Sequence, residues 1–421
     1  MKILKKLVID GCKDISGTIK ISGAKNSIVA LIPASILTSG VCVITNVPDI
    51  SDVRILIDMM EELGSIITFE NEVLTIDNSN VQNKKIDEEY AGKLRASYYF
   101  MGSLIGKYHE AEIAYPGGCV IGSRPINYHI ESFKKMGINV NNVADHYIMK
   151  TDELNGNEFY FDFPSVGATI NIILASVLAK GTTTIDNAAK EPHIVDVANF
   201  LNTMGADIRG AGTDVIKING VEKLHGNATY SVVPDQIEAG TFMLAAIASK
   251  GDLLIKNCIT KHLEPLTAKI VEIGGNVEDN GDSIRVWYSK RPNKANIKTL
   301  PYPGFPTDLQ PQMGVVLATA NGTSIINESI WESRFQYTAE LNKMGANITA
   351  QGKTAIFEGV DELFGAPVYS TDLRAGAALI VAGVSANGVT EVYNLGHIDR
   401  GYENIEEKFR KIGANIKRVN E

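Results

Sequence analysis

Cys119 lies between the pair Gly117-Gly118 and the stretch Gly122-Ser123-Arg124-Pro125. Three glycines within six residues free the backbone, so the thiol is expected on an exposed loop and not in a packed strand. Arg124 precedes Pro125 and the apolar run Ile126, Ile130, Phe133. Proline suits the first turn of a helix, where its missing N–H has no partner anyway. Arg124 is thus expected at the positive end of a helix, a ready place for an anion. Nearby positive charge lowers a thiol pKa and makes it a nucleophile or proton donor. On sequence context alone, Cys119 reads equally as an inert loop thiol.

Other candidates share a position type. The starts of one set of helical patterns carry Lys25-Asn26, Arg95, Ser165-Val166-Gly167, Glu238, Asp308 and Arg374. The starts of a second set carry Asp49, Arg124, His193, Glu264, Arg334 and Arg400. Lys25, Arg95, Arg124, Arg334, Arg374 and Arg400 supply cations, helix N-termini add to them, and arginine forks grip phosphate or carboxylate with two bonds. The chemistry implied is the binding of small, multiply anionic substrates. Singly, each arginine reads as a solvated or surface-paired side chain; their recurrence at one phase of a repeat argues otherwise. Asp308 after Thr307 reads either as a helix cap or as a working carboxylate. His397, three residues before Arg400, reads as a backbone-bonded imidazole or as part of the site. Cys12, Cys42 and Cys258 read as small packing residues.

The elements that must position these residues repeat six times. An amphipathic helix, a glycine and a β-like run recur as EELGSII, KKMGINV, NTMGADI, VEIGGNV, NKMGANI and RKIGANI. Their glycines (Gly64, Gly137, Gly205, Gly274, Gly345, Gly413) fall at intervals of roughly 70 residues and are expected as left-handed helix caps. Upstream of each runs a helix apolar nearly all round, such as VGATINIILASVLA, which marks burial. One unit is buried helix, strand, amphipathic helix, then strands. The sixth unit ends without its closing phrase, and LVIDGCKDISG at 7–17 resembles that phrase, so the first twenty or so residues are expected to complete it. The chain then divides three and three: one domain over 21–234 carrying the Cys119 loop, the other over 1–20 plus 235–421. Two crossings between domains suit hinge closure over a cleft.

Totals exclude several classes. The net charge of −9 over 421 residues argues against a nucleic-acid surface. Four scattered cysteines fit a reducing compartment, and seven scattered histidines give no metal-ligand spacing, so no metal site is expected. No run reaches a membrane span and no leader pattern opens the chain, so a cytoplasmic protein without membrane contact is expected.

The motifs SGAKNS (22–27), PGGCVIGSRP (116–125), SVGAT (165–169), FPTDLQ (305–310), DLRA (372–375) and HIDRGYENIE (397–406) together resemble the UDP-N-acetylglucosamine 1-carboxyvinyltransferase family, enolpyruvyl transferases that open peptidoglycan precursor synthesis. The resemblance spans the chain. It implies an α/β fold: a two-domain inside-out α/β barrel built from six βαβαββ-like repeats, three per domain, in agreement with the repeat count. It implies transfer from phosphoenolpyruvate to the 3-hydroxyl of UDP-N-acetylglucosamine, through a tetrahedral ketal and without a cofactor. By resemblance Asp308 takes the hydroxyl proton, and Cys119 is the general acid and adduct site. Lys25, Arg124 and Arg400 form the phosphate cluster, and Arg95, Arg334 and Arg374 lie around the carboxylate or loop. Asn26 faces the sugar. Arg124, Pro125, Ile126, Asn127 and Tyr128, with Ser165, Val166, Gly167, Ile330 and Trp331, hold the nucleotide. Cys119 also implies alkylation by fosfomycin.

Three positions depart from the family pattern: Phe163 where many relatives have Lys, Asn127 for an Asp, and Gln236 for an Arg. All bear on nucleotide contacts and none on the Cys–Asp–Lys–Arg set. Two other readings stay open. One is the sister enzyme 5-enolpyruvylshikimate-3-phosphate synthase, which lacks a Gly-Gly-Cys loop of this kind. The other is a non-catalytic UDP-sugar-binding regulatory paralogue.

Overall fold

The computed structural model describes residues 5–118, 122 and 126–420. They form two compact units, one of 23–118 with 126–233, the other of 5–22 with 234–420. Each is built from three repeats of the pattern legible in the sequence.

In the unit 23–233 the apolar helices are Lys25–Ala34, Tyr99–Tyr108 and Val166–Ser176. In the other they are Gln236–Ala248, Gln310–Ala318 and Leu373–Ser385. All are buried over most of their length, which explains why no polar stripe breaks their sequences. The amphipathic helices bury one side only. Ser51–Glu62 puts Val53, Leu56, Ile57 and Met60 inward, at the i, i+3, i+4, i+7 spacing of one helix face. The six expected cap glycines all have positive φ, from 85° at Gly137 to 103° at Gly64. There each helix turns back into a strand without the steric cost a Cβ would carry.

Strands alternate inward apolar and outward polar residues, as in Ser283–Trp287, where Ile284 and Val286 are buried and Arg285 is exposed. Three sheets form in each unit, and five of the six repeats pass their last strand to the next repeat's sheet, the first making only a single parallel bridge from Ile86 to Ile113. Glu158–Tyr160 runs parallel to Thr182–Asp186, Asn296–Lys298 to Thr323–Asn327, and Pro367–Tyr369 to Val389–Tyr393. The third repeat hands Ala228–Ser231 back to Val41–Thr45 of the first, so the ring closes. In the other unit the N-terminal stretch closes the ring, but not as one piece. Lys5–Asp10 lies between Val389–Tyr393 and Asn415–Asn420 in the last sheet, with Ile9 opposite Ile416. Ser16–Lys20 instead runs parallel to Asp252–Lys256 in the next sheet. The stretch expected to complete the sixth repeat therefore serves two sheets, because this repeat too hands its last strand on.

Helices pack closely where side chains are absent. A Cβ on Gly102 would lie 2.7 Å from both the backbone and side-chain oxygens of Asn171, and one on Gly106 2.7 Å from the Leu174 carbonyl. The contact is also polar: Asn171 Oδ1 accepts the Gly102 N–H at 2.9 Å. Helix C-termini receive cations. Lys107 donates to the carbonyls of Ile36 and Thr38, at 2.7 and 3.0 Å. Arg291 reaches those of Thr319, Ala320, Gly359 and Val360. No helix among the described residues is long and apolar enough to cross a membrane.

Gly102→Ala should lower stability to urea by about 1–3 kcal/mol, through overpacking against Asn171. Gly396→Ala, where a Cβ meets nothing within 4 Å, should leave the urea midpoint nearly unchanged.

Candidate active site

The most strongly coupled candidates lie in the unit 234–420. Asp308 stands in the short 3-10 turn Thr307–Leu309 that leads into the helix Gln310–Ala318. The cap position of that turn is Pro306, so Asp308 is not its N-cap. Its oxygens go to two arginines. Oδ1 accepts from Arg334 Nη2 at 3.0 Å; Oδ2 accepts from Arg374 Nη2 at 2.9 Å and Nε at 3.1 Å. Both guanidinium side chains are almost wholly buried, 2 % and 4 % exposed, whereas Asp308 keeps 28 % of its surface. A buried guanidinium requires a carboxylate, and Asp308 supplies it while remaining the exposed member. Asp372 completes the group. It caps the helix Leu373–Ser385 by accepting from the N–H of Arg374 and Ala375, and lies 3.6 Å from Arg334 Nη1. Burial acts to lower the Arg374 pKa, but Asp308 and the Tyr402 side chain outweigh it and raise the net value.

In the unit 23–233, Lys25 opens its helix and its ammonium lies 3.0 Å from Asp52 Oδ2. Asp52 is fully buried in the first turn of the helix Ser51–Glu62, where the helix N-terminus also favours its charge. Asp52 was not singled out in the sequence, since an acid in a first helical turn is commonplace; its burial gives it significance. Asn26 follows Lys25 in the same helix, half-buried.

A third group surrounds Ser165, Val166 and Gly167. Ser165 caps the helix Val166–Ser176, its hydroxyl accepting the Ala168 N–H at 3.4 Å. Gly167 packs so closely on His129 that a Cβ there would lie 2.8 Å from the ring. Arg95 begins the 3-10 turn Arg95–Tyr98 and lies over the Tyr98 ring, 5.5 Å from its centroid. Asn171 donates to the Tyr98 carbonyl at 3.1 Å and contacts His129 Nδ1 at 2.8 Å. Its Oδ1 is engaged by the Gly102 N–H, so the amide nitrogen faces His129 and fixes Nδ1 as acceptor, leaving the proton on Nε2. Burial first, and Arg95 behind it, push the His129 imidazole down to about 3, so it stays neutral at physiological pH. Beside His129, Asn127 is exposed and the Tyr128 ring meets Phe161 at 5.4 Å. Ile126 is buried, and Phe163 is 44 % exposed.

The remaining described candidates lie elsewhere in the unit 234–420. Ile330 and Trp331 are half-buried in the turn after the strand Thr323–Asn327, and Arg400 is half-buried ahead of the helix Ile405–Lys411. Cys119, Arg124 and Pro125 lie outside the described residues. The cations expected to meet an anion are not equally available. Arg334 and Arg374 are committed to Asp308 and Lys25 to Asp52, so an incoming anion must share these groups with resident carboxylates. Sequence spacing places cations but does not show what already neutralises them.

Two three-repeat α/β units, with arginines gripping an accessible carboxylate at a helix entrance, define an enolpyruvyl-transferase type of architecture. A solved structure of the enolpyruvyl transferase NikO from Streptomyces tendae shares the fold over the whole of both chains, with TM-score 0.89 at 24 % identity. EPSP synthase from Acinetobacter baumannii shares it at TM-score 0.74 and 18 % identity, over 99 % of this chain and all of that one. The family model for EPSP synthase (3-phosphoshikimate 1-carboxyvinyltransferase) matches residues 9–409. Within that wider group, the chain belongs to the family of the UDP-N-acetylglucosamine 1-carboxyvinyltransferases. It is 52 % identical to the protein of that name from Clostridium botulinum, over 99 % of this chain and all of that one. It is 51 % identical to UDP-N-acetylglucosamine 1-carboxyvinyltransferase 2 from Clostridium acetobutylicum, over 99 % of each.

Asp308→Ala should cost about 3 kcal/mol in urea unfolding, because it strips three charge-assisted hydrogen bonds from two buried guanidiniums. His129 gives a pH signature. Its folded pKa of about 3 lies below the ordinary 6.5, so below pH 6.5 the unfolded chain takes up a proton that the folded chain refuses. Its contribution is complete above 6.5 and declines by about 1.4 kcal/mol per pH unit as pH falls towards 3. Unfolding measured between about pH 7 and about pH 5 should show a flatter slope for His129→Gln than for the parent chain.

Proposed function

We propose that this chain transfers the enolpyruvyl group of phosphoenolpyruvate to the 3-hydroxyl of UDP-N-acetylglucosamine, releasing phosphate, as the first committed step of peptidoglycan precursor synthesis. The observation that carries this reading is half-identity, across almost the whole chain, to relatives named for that activity. Both substrates are metabolites of the cell interior, which puts the reaction in the cytoplasm.

The steps follow from the chemistry of addition and elimination. The sugar hydroxyl attacks C2 of phosphoenolpyruvate and loses its proton to Asp308, the accessible carboxylate of its cluster. C3 gains a proton from Cys119, giving a tetrahedral ketal. Loss of a C3 proton and of phosphate then regenerates the double bond in the product. Lys25, Arg124 and Arg400 receive the phosphate charge, and Arg95, Arg334 and Arg374 serve the carboxylate. Two guanidiniums hold Asp308 in place at rest. A substrate anion drawing on Arg334 or Arg374 loosens that grip as the hydroxyl arrives. The nucleotide is assigned to Arg124, Pro125, Ile126, Asn127 and Tyr128, to Ser165, Val166 and Gly167, and to Ile330 with Trp331; Asn26 meets the sugar. Asn127 can still pair with a uracil edge through its amide.

A phosphate-release assay tests the reading. Release should need both UDP-N-acetylglucosamine and phosphoenolpyruvate, and should stop when fosfomycin alkylates Cys119. Release with shikimate 3-phosphate alone as acceptor would reassign the chain to the sister reaction. Tight nucleotide-sugar binding without release would make it a regulatory paralogue. Cys119→Ser should retain nucleotide-sugar binding and lose about 10²–10⁴-fold in turnover, the scale of general acid catalysis. Cys119→Asp should resist fosfomycin.

A further inference from the structure

Glu328 takes part in no step above, yet it touches two of the segments of the unit 234–420 to which substrate contacts are assigned. It follows the strand Thr323–Asn327 and is 1 % exposed. Oε1 accepts three hydrogen bonds: from Thr299 Oγ1 at 2.8 Å, from the Ile330 N–H at 2.8 Å and from the Trp331 N–H at 3.2 Å. Oε2 accepts from Thr307 Oγ1 at 2.9 Å. One oxygen thus folds the Ile330–Trp331 turn around itself. The other holds the residue whose peptide carries Asp308.

We propose that Glu328 is a positioning residue that fixes the Asp308 turn and the Ile330–Trp331 turn against one another, so that seating of the nucleotide sugar and aim of the base are set by one buried carboxylate. A carboxylate suits this role because it only accepts, with room for several donors at once. A charge buried this deeply persists only where such bonds replace its lost hydration. The chain is anchored at both ends of the link. Thr299, the third donor to Oε1, also receives the Ser329 N–H on its hydroxyl at 2.9 Å and donates its own N–H to the Asn327 carbonyl at 3.0 Å. On the far side, Arg334 Nη2 contacts the Thr307 carbonyl at 3.4 Å as well as Asp308. Asp308 is therefore aimed from two directions, by arginines pulling its oxygens and by Glu328 holding its neighbour.

The proposal rests on the enolpyruvyl-transfer reading, and the test separates the two. Phosphate release by the parent chain is measured first. If UDP-N-acetylglucosamine and phosphoenolpyruvate give none, the reaction is wrong and the positioning role falls with it. Given an active parent, Thr307→Val removes only the Oε2 bond and leaves the three at Oε1. It should lower kcat about tenfold or more, the scale of one hydrogen bond to a charged group, with the dissociation constant for UDP-N-acetylglucosamine changed by less than about twofold. Thr307→Ser should restore kcat. Glu328→Gln can place its carbonyl oxygen at the Oε1 position while the Thr307 hydroxyl turns to accept from the amide, and should keep most activity. Glu328→Ala should raise the KM for UDP-N-acetylglucosamine and lower kcat together. An unchanged kcat in Thr307→Val, or no recovery in Thr307→Ser, overturns the proposal. So does activity loss across the series that merely tracks the unfolded fraction seen by circular dichroism.

Discussion

Two guanidiniums and two carboxylates share a nearly dry space in the unit 234–420, and the other features of the site depend on how their charges are apportioned. Arg334 and Arg374 are too deeply buried to be hydrated, so they must be neutralised by neighbours. Asp372 contributes from a helix cap, which uses part of its acceptor capacity on backbone N–H groups. The deficit falls on Asp308, which is held by three guanidinium hydrogen bonds while keeping an open side. A carboxylate so placed is oriented before any substrate arrives, and orientation is worth more to a reaction than mere proximity. The same logic recurs in the unit 23–233, where the buried Asp52 holds Lys25.

Much of the fold was legible because it repeats. The phrase of amphipathic helix, glycine and strand marks six left-handed caps, and all six glycines adopt that conformation. The apolar helices could be read as buried because no polar stripe runs along them. What periodicity could not show is which sheet each closing strand joins. Ser16–Lys20 has the residues of a strand in either of two sheets, and only the shape of the ring sends it to Asp252–Lys256.

For the site, spacing located the cations and Asp308 but not their partners. Asp308 looked like a helix cap as much as a working carboxylate, since the two roles use the same residue at the same place. What spacing could not show is that Asp308 holds Arg334 and Arg374, which are distant in sequence. Asp52 and Asn171 left no signal, because an acid in a first helical turn and an amide in an apolar helix are ordinary in isolation. Their meaning comes from burial beside Lys25 and between Gly102 and His129. Phe163, read in the sequence as a departure from the family pattern, is exposed.

The two rings close over different spans of the chain. In the unit 23–233 the ring is complete once Ala228–Ser231 can reach Val41–Thr45. The other unit must wait longer. Lys5–Asp10 has as neighbours Val389–Tyr393 and Asn415–Asn420, far along the chain. Because synthesis runs from the N-terminal side, that strand stays an unpaired edge until these partners follow, while the unit 23–233 already has the strands that close its own ring.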